Sequence, residues 1–190
     1  INTMPELRYW AKRQQEADVV PEMELFDLSH VECCSRLADE GVIRRPLHYN
    51  YCVGPGASSN LSATGRNLAL LNMLAEQGTS WGVNHDSMKD FSILACAIGR
   101  GANAVRVGFE DSFYYAPGKR AHTNAELVER LVALIRMMGC EPATPEEARE
   151  MLHIGTYWKY HSADLLALLH DRASSHTSCR QHQYPGLCKT

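Results

Sequence analysis

Strand and helix patterns alternate along most of this 190-residue chain, and no other feature restricts its fold as strongly. Short apolar segments at 21–27, 47–53, 79–84 and 104–111 predict strands, and a helical pattern follows each of them. Such alternation indicates a parallel sheet, because each helix returns the chain to the starting edge of the sheet. Four units in roughly 135 residues amount to half of a (β/α)8 barrel. An open doubly wound sheet is the alternative, although no glycine-rich phosphate-binding loop follows these strands.

Local signals predict where several of the helices begin. Thr123 starts the tetrapeptide T-N-A-E and Thr144 starts T-P-E-E, and both match the capping box of a helix amino terminus. Asp86 or Ser87 is expected to cap the helix that follows the third strand. These signals fix the order of elements as β-α-β-α-β-α-β-α after a first helix near residues 4–17.

Composition excludes several classes of protein. A net charge of −3 and a pI of about 6.3 give no basic signature for nucleic acid or an anionic membrane. No apolar run approaches the ~20 residues of a membrane helix. Seven cysteines, most of them in apolar segments, fit reduced thiols in the cytoplasm. The chain begins with Ile1, which we interpret as a fragment, a processed product or an incomplete gene.

The fourth predicted strand, A-V-R-V-G-F-E-D at 104–111, carries charge on one face. Because side chains alternate along a strand, Arg106 and Glu110 share a face, and the opposite face is apolar. Asp111 follows where this strand is expected to end, at the edge of the sheet that holds active sites in α/β proteins. A structural ion pair on a half-exposed strand is the alternative interpretation.

Three segments resemble one family. They are V-R-V-G-F-E-D-S-F-Y at 105–114, P-E-M-E-L-F-D at 21–27 and A-T-P-E-E-A-R-E at 143–150. The resemblance, over residues 1–152, is to the carboxyl half of the beta-keto acid cleavage enzymes, whose described member cleaves 3-keto-5-aminohexanoate. It implies strands five to eight of a zinc-dependent TIM barrel. It also implies that a β-keto acid and acetyl-CoA give acetoacetate and a new CoA thioester.

The resemblance assigns roles to individual residues. It implies that Glu110 is a zinc ligand, that Asp111 and Arg106 are catalytic groups, and that Glu24 lines the substrate pocket together with Arg106. The residue types suit these roles, since a carboxylate can bind zinc, a guanidinium can hold a carboxylate or an oxyanion, and an aspartate can transfer protons. His85 follows a strand end and is expected to bind substrate, with simple solvation as the alternative.

One departure from the family affects the function. The family takes two zinc histidines from an H-x-H pair in the amino half of the barrel, and this chain has no H-x-H. We therefore expect the chain alone to be inactive, and we expect it to form a homo-oligomer. The alternative is a non-catalytic half-barrel that survives as a remnant or assembly module. The run V-N-H-D at 83–86 also departs from the family, which leaves the substrate side chain open.

Residues 153–190 fall outside the resemblance and are expected to form a partly helical or disordered extension. The extension includes a pattern of possible metal ligands at His176, Cys179, His182 and Cys188. No standard zinc module has this spacing, so we do not assign it a metal.

Overall fold

The computed structural model describes residues 3–55, 60–155 and 186–187. Its centre is a parallel sheet of four strands in the order β1-β2-β3-β4. The strands in the described part of the chain are β1 (Met23–Leu25), β2 (His48–Tyr51), β3 (Ser80–Asn84), β4 (Ala104–Arg106), β5 (Tyr114–Ala116), β6 (Lys119–Arg120) and β7 (Gly186–Leu187). β7 pairs with β4 in the antiparallel direction, and β5 and β6 form a separate hairpin. The predicted parallel α/β sheet is thus confirmed, whereas its numbering as barrel strands five to eight stays a prediction.

The described residues include six helices. They are α1 (Met4–Glu16), α2 (Leu28–Asp39), α3 (Gly65–Leu74), α4 (Ser92–Gly99), α5 (Asn124–Met137) and α6 (Pro145–Met151). α2, α3 and α4 each connect one parallel strand to the next, and α5 follows the hairpin. No helix in the described part of the chain is both long and apolar enough to cross a membrane.

The two faces of the sheet differ in chemistry because strand residues alternate between them. One face carries Tyr49, Tyr51, Val83 and Val105, all of which are buried in the main hydrophobic core. The helices contribute Val31, Leu68 and Leu94 to the same core. This burial of apolar surface is the main stabilising contribution to the fold.

The opposite face, which we call the polar face, carries polar and small residues. The strand register places Glu24 beside Asn50, Asn50 beside Gly82, and Asn84 beside Arg106. Gly82 permits a close approach of strands, since a Cβ at this position would lie 2.9 Å from the carbonyl oxygen of Ala104. The candidate site lies at the carboxyl end of the polar face.

The fourth strand is shorter than its sequence predicts. The prediction of one strand over 104–111 is wrong, because β4 ends at Arg106 and the chain turns at 109–111. The amide groups of Asp111 and Ser112 both donate to the carbonyl oxygen of Gly108, which folds the segment back on itself. Side chains beyond Arg106 therefore do not follow strand alternation, and Glu110 lies in the turn rather than on the sheet.

Two of the three helix starts predicted from capping residues are confirmed. Thr123 and Thr144 cap α5 and α6, and the Thr144 capping box is complete. The predicted cap at Asp86 or Ser87 is wrong, because α4 begins at Ser92, whose amide instead donates to the Asp90 carboxylate. The proposed boundary at residue 152 follows the end of α6. The possible metal ligands His176, Cys179, His182 and Cys188 lie outside the described residues.

Candidate active site

Arg106 is the centre of a charged cluster at the carboxyl end of the sheet. Its Nε and Nη2 donate to the two carboxylate oxygens of Asp111 over 3.0 and 2.7 Å. Its Nη1 donates to Oε1 of Glu24 over 2.7 Å. One cation therefore binds two carboxylates, one of them in the bidentate geometry that gives the strongest ion pairs. We call Arg106, Glu24 and Asp111 the charged triad.

The triad links the two ends of the four-strand order. Glu24 belongs to β1 and Arg106 to β4, and β2 and β3 lie between them. In a flat sheet these two backbones would be ~14 Å apart at the usual strand spacing. Direct contact between the two side chains is favoured by a sheet that curves toward its polar face, as barrel strands do.

The two carboxylates of the triad have different environments. The Asp111 side chain is 5% exposed, whereas that of Glu24 is 43% exposed. Burial raises the pKa of Asp111, and Arg106 opposes that rise. Burial also raises the pKa of the nearby Glu22, again opposed by Arg106. Glu24 is thus the triad member most open to a ligand, and Asp111 is the one that anchors Arg106.

Next to the triad are the buried side chains of Asn50, Cys52 and Asn84, which the sequence analysis did not predict as part of the site. Cys52 follows β2 and is 1% exposed. The Asn84 side-chain amide donates to its sulfur over 3.3 Å. Burial raises the pKa of the Cys52 thiol to about 12, so the thiol is neutral at physiological pH. Alternation along β2 and β3 could have placed Asn50 and Asn84 on the same face as Glu24.

His85 lies directly after β3 and is completely buried. Its Nε2 donates to the carbonyl oxygen of Asp90 over 2.7 Å, and its ring packs edge-on against Phe91. Burial lowers the pKa of His85, which favours the neutral ring. The structure therefore holds this predicted substrate-binding residue behind the site surface, within the electrostatic range of Asp111.

Glu110 lies in the turn after β4 and is exposed to solvent. It is close enough to Asp111 to raise the pKa of that carboxyl. As an exposed carboxylate beside the triad, it fits the role of one oxygen ligand to a divalent metal. Among the described residues, no group of three or more histidine, cysteine, aspartate or glutamate side chains could hold a metal ion. Any complete metal centre would need ligands from elsewhere.

Comparison with known proteins identifies the family. A family model described as beta-keto acid cleavage enzyme matches residues 1–154. The chain belongs to the beta-keto acid cleavage enzyme family. The resemblance of the sequence motifs to this family is thereby confirmed.

Individual relatives are 34–38% identical to this chain over the aligned residues. A 3-keto-5-aminohexanoate cleavage enzyme of Fusobacterium nucleatum is 36% identical over 154 residues, which cover 81% of this chain and 55% of that enzyme. A namesake of Acetoanaerobium sticklandii is 38% identical with the same coverage. A 3-dehydrocarnitine:acetyl-CoA trimethylamine transferase of Rhizobium meliloti is 34% identical over 80% of this chain and 50% of its own length. The chain spans about half the length of the curated relatives it matches.

Proposed function

We propose that this chain supplies part of the active site of an enzyme that cleaves a β-keto acid with acetyl-CoA, giving acetoacetate and a new CoA thioester. The observation that carries this proposal is the charged triad at the carboxyl end of a parallel sheet in a chain of this family. One relative is named for cleavage of a keto acid and another for a transfer that involves acetyl-CoA, and both names support the same chemistry.

Arg106 is the proposed anchor for substrate charge. A guanidinium has five N–H groups, and three of them are already directed at Asp111 and Glu24. The remaining two can donate to a substrate carboxylate or to the oxyanion that forms when the keto carbonyl is attacked. Its side chain is 15% exposed, so such a contact would be made in a largely desolvated environment.

The acidic residues have separate proposed roles. Asp111 keeps Arg106 in place and, with a pKa raised by burial, is suited to exchange a proton with the substrate. Glu24 is exposed enough to contact the substrate directly. His85 completes the proposed substrate-binding set, and its buried ring is held in place by the carbonyl oxygen of Asp90.

Glu110 is the residue of this chain that would hold zinc. Zinc would polarise the keto carbonyl and stabilise an enolate. The other zinc ligands, expected to be histidines of an H-x-H pair, are not among the described residues. The contribution of this chain is charge and position: a carboxylate ligand, a guanidinium anchor and two neighbouring acids.

A non-catalytic half-barrel is the competing proposal, because the chain spans about half of its relatives. Measuring the turnover of a complete protein would distinguish the enzyme from the non-catalytic half-barrel. The chain would be joined to the amino-terminal half of a 3-keto-5-aminohexanoate cleavage enzyme, and acetoacetate would be measured with the β-keto acid and acetyl-CoA present. We expect acetoacetate only when both substrates are supplied. A folded hybrid that never forms acetoacetate from this or other β-keto acids would favour the remnant.

A further inference from the structure

A basic and aromatic hairpin projects beside the charged triad. β5 and β6 form this hairpin, and we use the name basic hairpin for residues 113–121. It begins two residues after Asp111 and is closed by a bond from the Ala121 amide to the Phe113 carbonyl oxygen. Pro117 and Gly118 form its tip, where Gly118 takes the positive φ of 72° that a tight turn requires.

The hairpin is fixed relative to the triad. The Ser112 hydroxyl donates to the carbonyl oxygen of Met88 over 2.6 Å and accepts from the Tyr114 amide over 3.2 Å. Ser112 is also bonded through its own amide to Gly108, in the turn that positions Asp111. A ligand bound on the hairpin would therefore keep a defined distance from the reacting groups.

The hairpin carries uncompensated positive charge. Segment 113–123 contains Lys119 and Arg120 and no acidic residue. Both basic side chains are exposed, and in the described part of the chain neither forms an ion pair. Other surface arginines of the described chain commonly pair with carboxylates, as Arg45 does with Asp39 and Glu76.

Aromatic rings hold the arginine in place. The guanidinium of Arg120 lies 4.2 Å from the ring centroid of Phe113 and 5.8 Å from that of Tyr114. Stacking on ring faces restricts the rotamers of the guanidinium while its N–H edge stays free to bind phosphate oxygens. Phe113 and Phe109 pack edge to face and remain more than a third exposed, so they offer apolar contact to a flat base.

We propose that the basic hairpin binds the nucleotide end of the CoA co-substrate, with Arg120 and Lys119 contacting its phosphates and Phe109 and Phe113 contacting the adenosine. This inference rests on the proposed function, because acetyl-CoA is taken from the reaction of the relatives. The ligand combines several phosphates with an aromatic base, which matches two free cations beside two exposed rings. The pantetheine arm would then extend the thioester from the hairpin toward Arg106.

The test measures binding of adenosine 3′,5′-bisphosphate to the purified 190-residue chain by calorimetry, without any β-keto acid. We expect Arg120→Ala to weaken binding about tenfold, because one charge-assisted phosphate contact is lost. Lys119→Ala, whose side chain packs on neither ring, should weaken it in the same direction. Arg100→Ala is the matched control, since Arg100 is an exposed arginine before the opposite, amino end of β4. It should leave affinity unchanged.

Three results would overturn the proposal. One is the absence of nucleotide binding to the unmodified chain, and another is unchanged affinity in both hairpin variants. The third is inorganic phosphate competing as well as the nucleotide, which would reduce the hairpin to a simple anion site. The proposed reaction is tested separately, because the hybrid enzyme can lose acetoacetate formation while nucleotide binding persists. In an active hybrid, Arg120→Ala should raise the KM for acetyl-CoA and leave the KM for the keto acid unchanged.

Discussion

The positive charge of Arg106 compensates the negative charges of Asp111 and Glu24. Asp111 is almost fully buried, and an ionised carboxylate in such a position is costly unless a cation contacts it. The bidentate pair therefore combines two effects in one contact. It opposes the rise in the pKa of Asp111 that burial causes, and it fixes the plane of the guanidinium whose remaining N–H groups are proposed to contact the substrate.

Replacing Arg106 should destabilise the folded chain as well as the site. Arg106→Ala leaves Asp111 buried without its partner, and we expect a loss of about 2–4 kcal/mol in the free energy of unfolding. Arg106→Lys should recover only part of it, because an ammonium cannot form the bidentate pair. Urea unfolding measures both, with Arg100→Ala as the exposed control. A loss in Arg106→Ala no larger than in the control would contradict the anchoring role.

His85 predicts a pH dependence of stability. Its pKa is lowered in the folded state by burial, so below its ordinary value of 6.5 the unfolded chain takes up a proton that the folded chain resists. Its contribution to stability is therefore complete above pH 6.5 and is lost as the pH falls toward the lowered pKa. Between pH 7.5 and 5.5 the urea midpoint should fall less in His85→Gln than in the unmodified chain. His48, whose pKa burial also lowers, keeps part of the dependence in the variant.

Arg100→Ala, a substitution at an exposed residue that stays charged throughout, is the control for this pH series and should show the same fall in midpoint as the unmodified chain. Equal pH dependence in His85→Gln and in the unmodified chain would contradict the burial of a neutral ring at position 85.

Among the secondary-structure elements, β3 and β4 show how closely the strands approach on the polar face. Gly82→Ala would place a methyl group 2.9 Å from the carbonyl oxygen of Ala104. The backbone of a paired strand can move away only at a cost in the free energy of folding. We expect a destabilisation of about 1–3 kcal/mol in urea unfolding. Gly108→Ala is the matched control, because its Cβ would meet nothing closer than 3.9 Å. Equal effects in the two variants would mean that the close approach at Gly82 does not contribute.

The elements also show what the sequence could and could not predict. Alternation and capping chemistry are local, so the parallel strands and the starts of α5 and α6 follow from them directly. The end of β4 does not, because the pattern continues to Asp111 while backbone bonds to Gly108 turn the chain earlier. Such a turn depends on contacts with Met88 and Ser87, which are distant in sequence.

The candidate site was predicted in composition but not in arrangement. Arg106, Glu24 and Asp111 could be named from motifs, but their pairing could not, because Glu24 and Arg106 are 82 residues apart. The alternative interpretation of the sequence paired Arg106 with Glu110 in a structural ion pair. The structure assigns the bidentate contact to Asp111 instead, since the turn moves Glu110 to the exposed side.

At the scale of the whole molecule, the edge strand β1 is the reason to expect that copies of the chain associate with one another. Nothing in the described residues pairs with the outer side of β1. Free strand edges pair readily with other chains. The isolated chain should therefore form concentration-dependent oligomers in light scattering coupled to size exclusion, and joining it to the amino half of a relative should suppress that form of association. A monomer at all concentrations would contradict an open edge.

Glu110 and the charged triad are proposed to form the carboxyl half of a beta-keto acid cleavage site. The most direct measurement is the rate of acetoacetate formation by the hybrid enzyme with Glu110 and with Glu110→Gln. Glu129→Gln serves as the control because Glu129 is an exposed glutamate on α5. We predict a fall of about 100-fold or more in Glu110→Gln, with the fold intact, and no change in the control. An undiminished rate in Glu110→Gln would contradict the account.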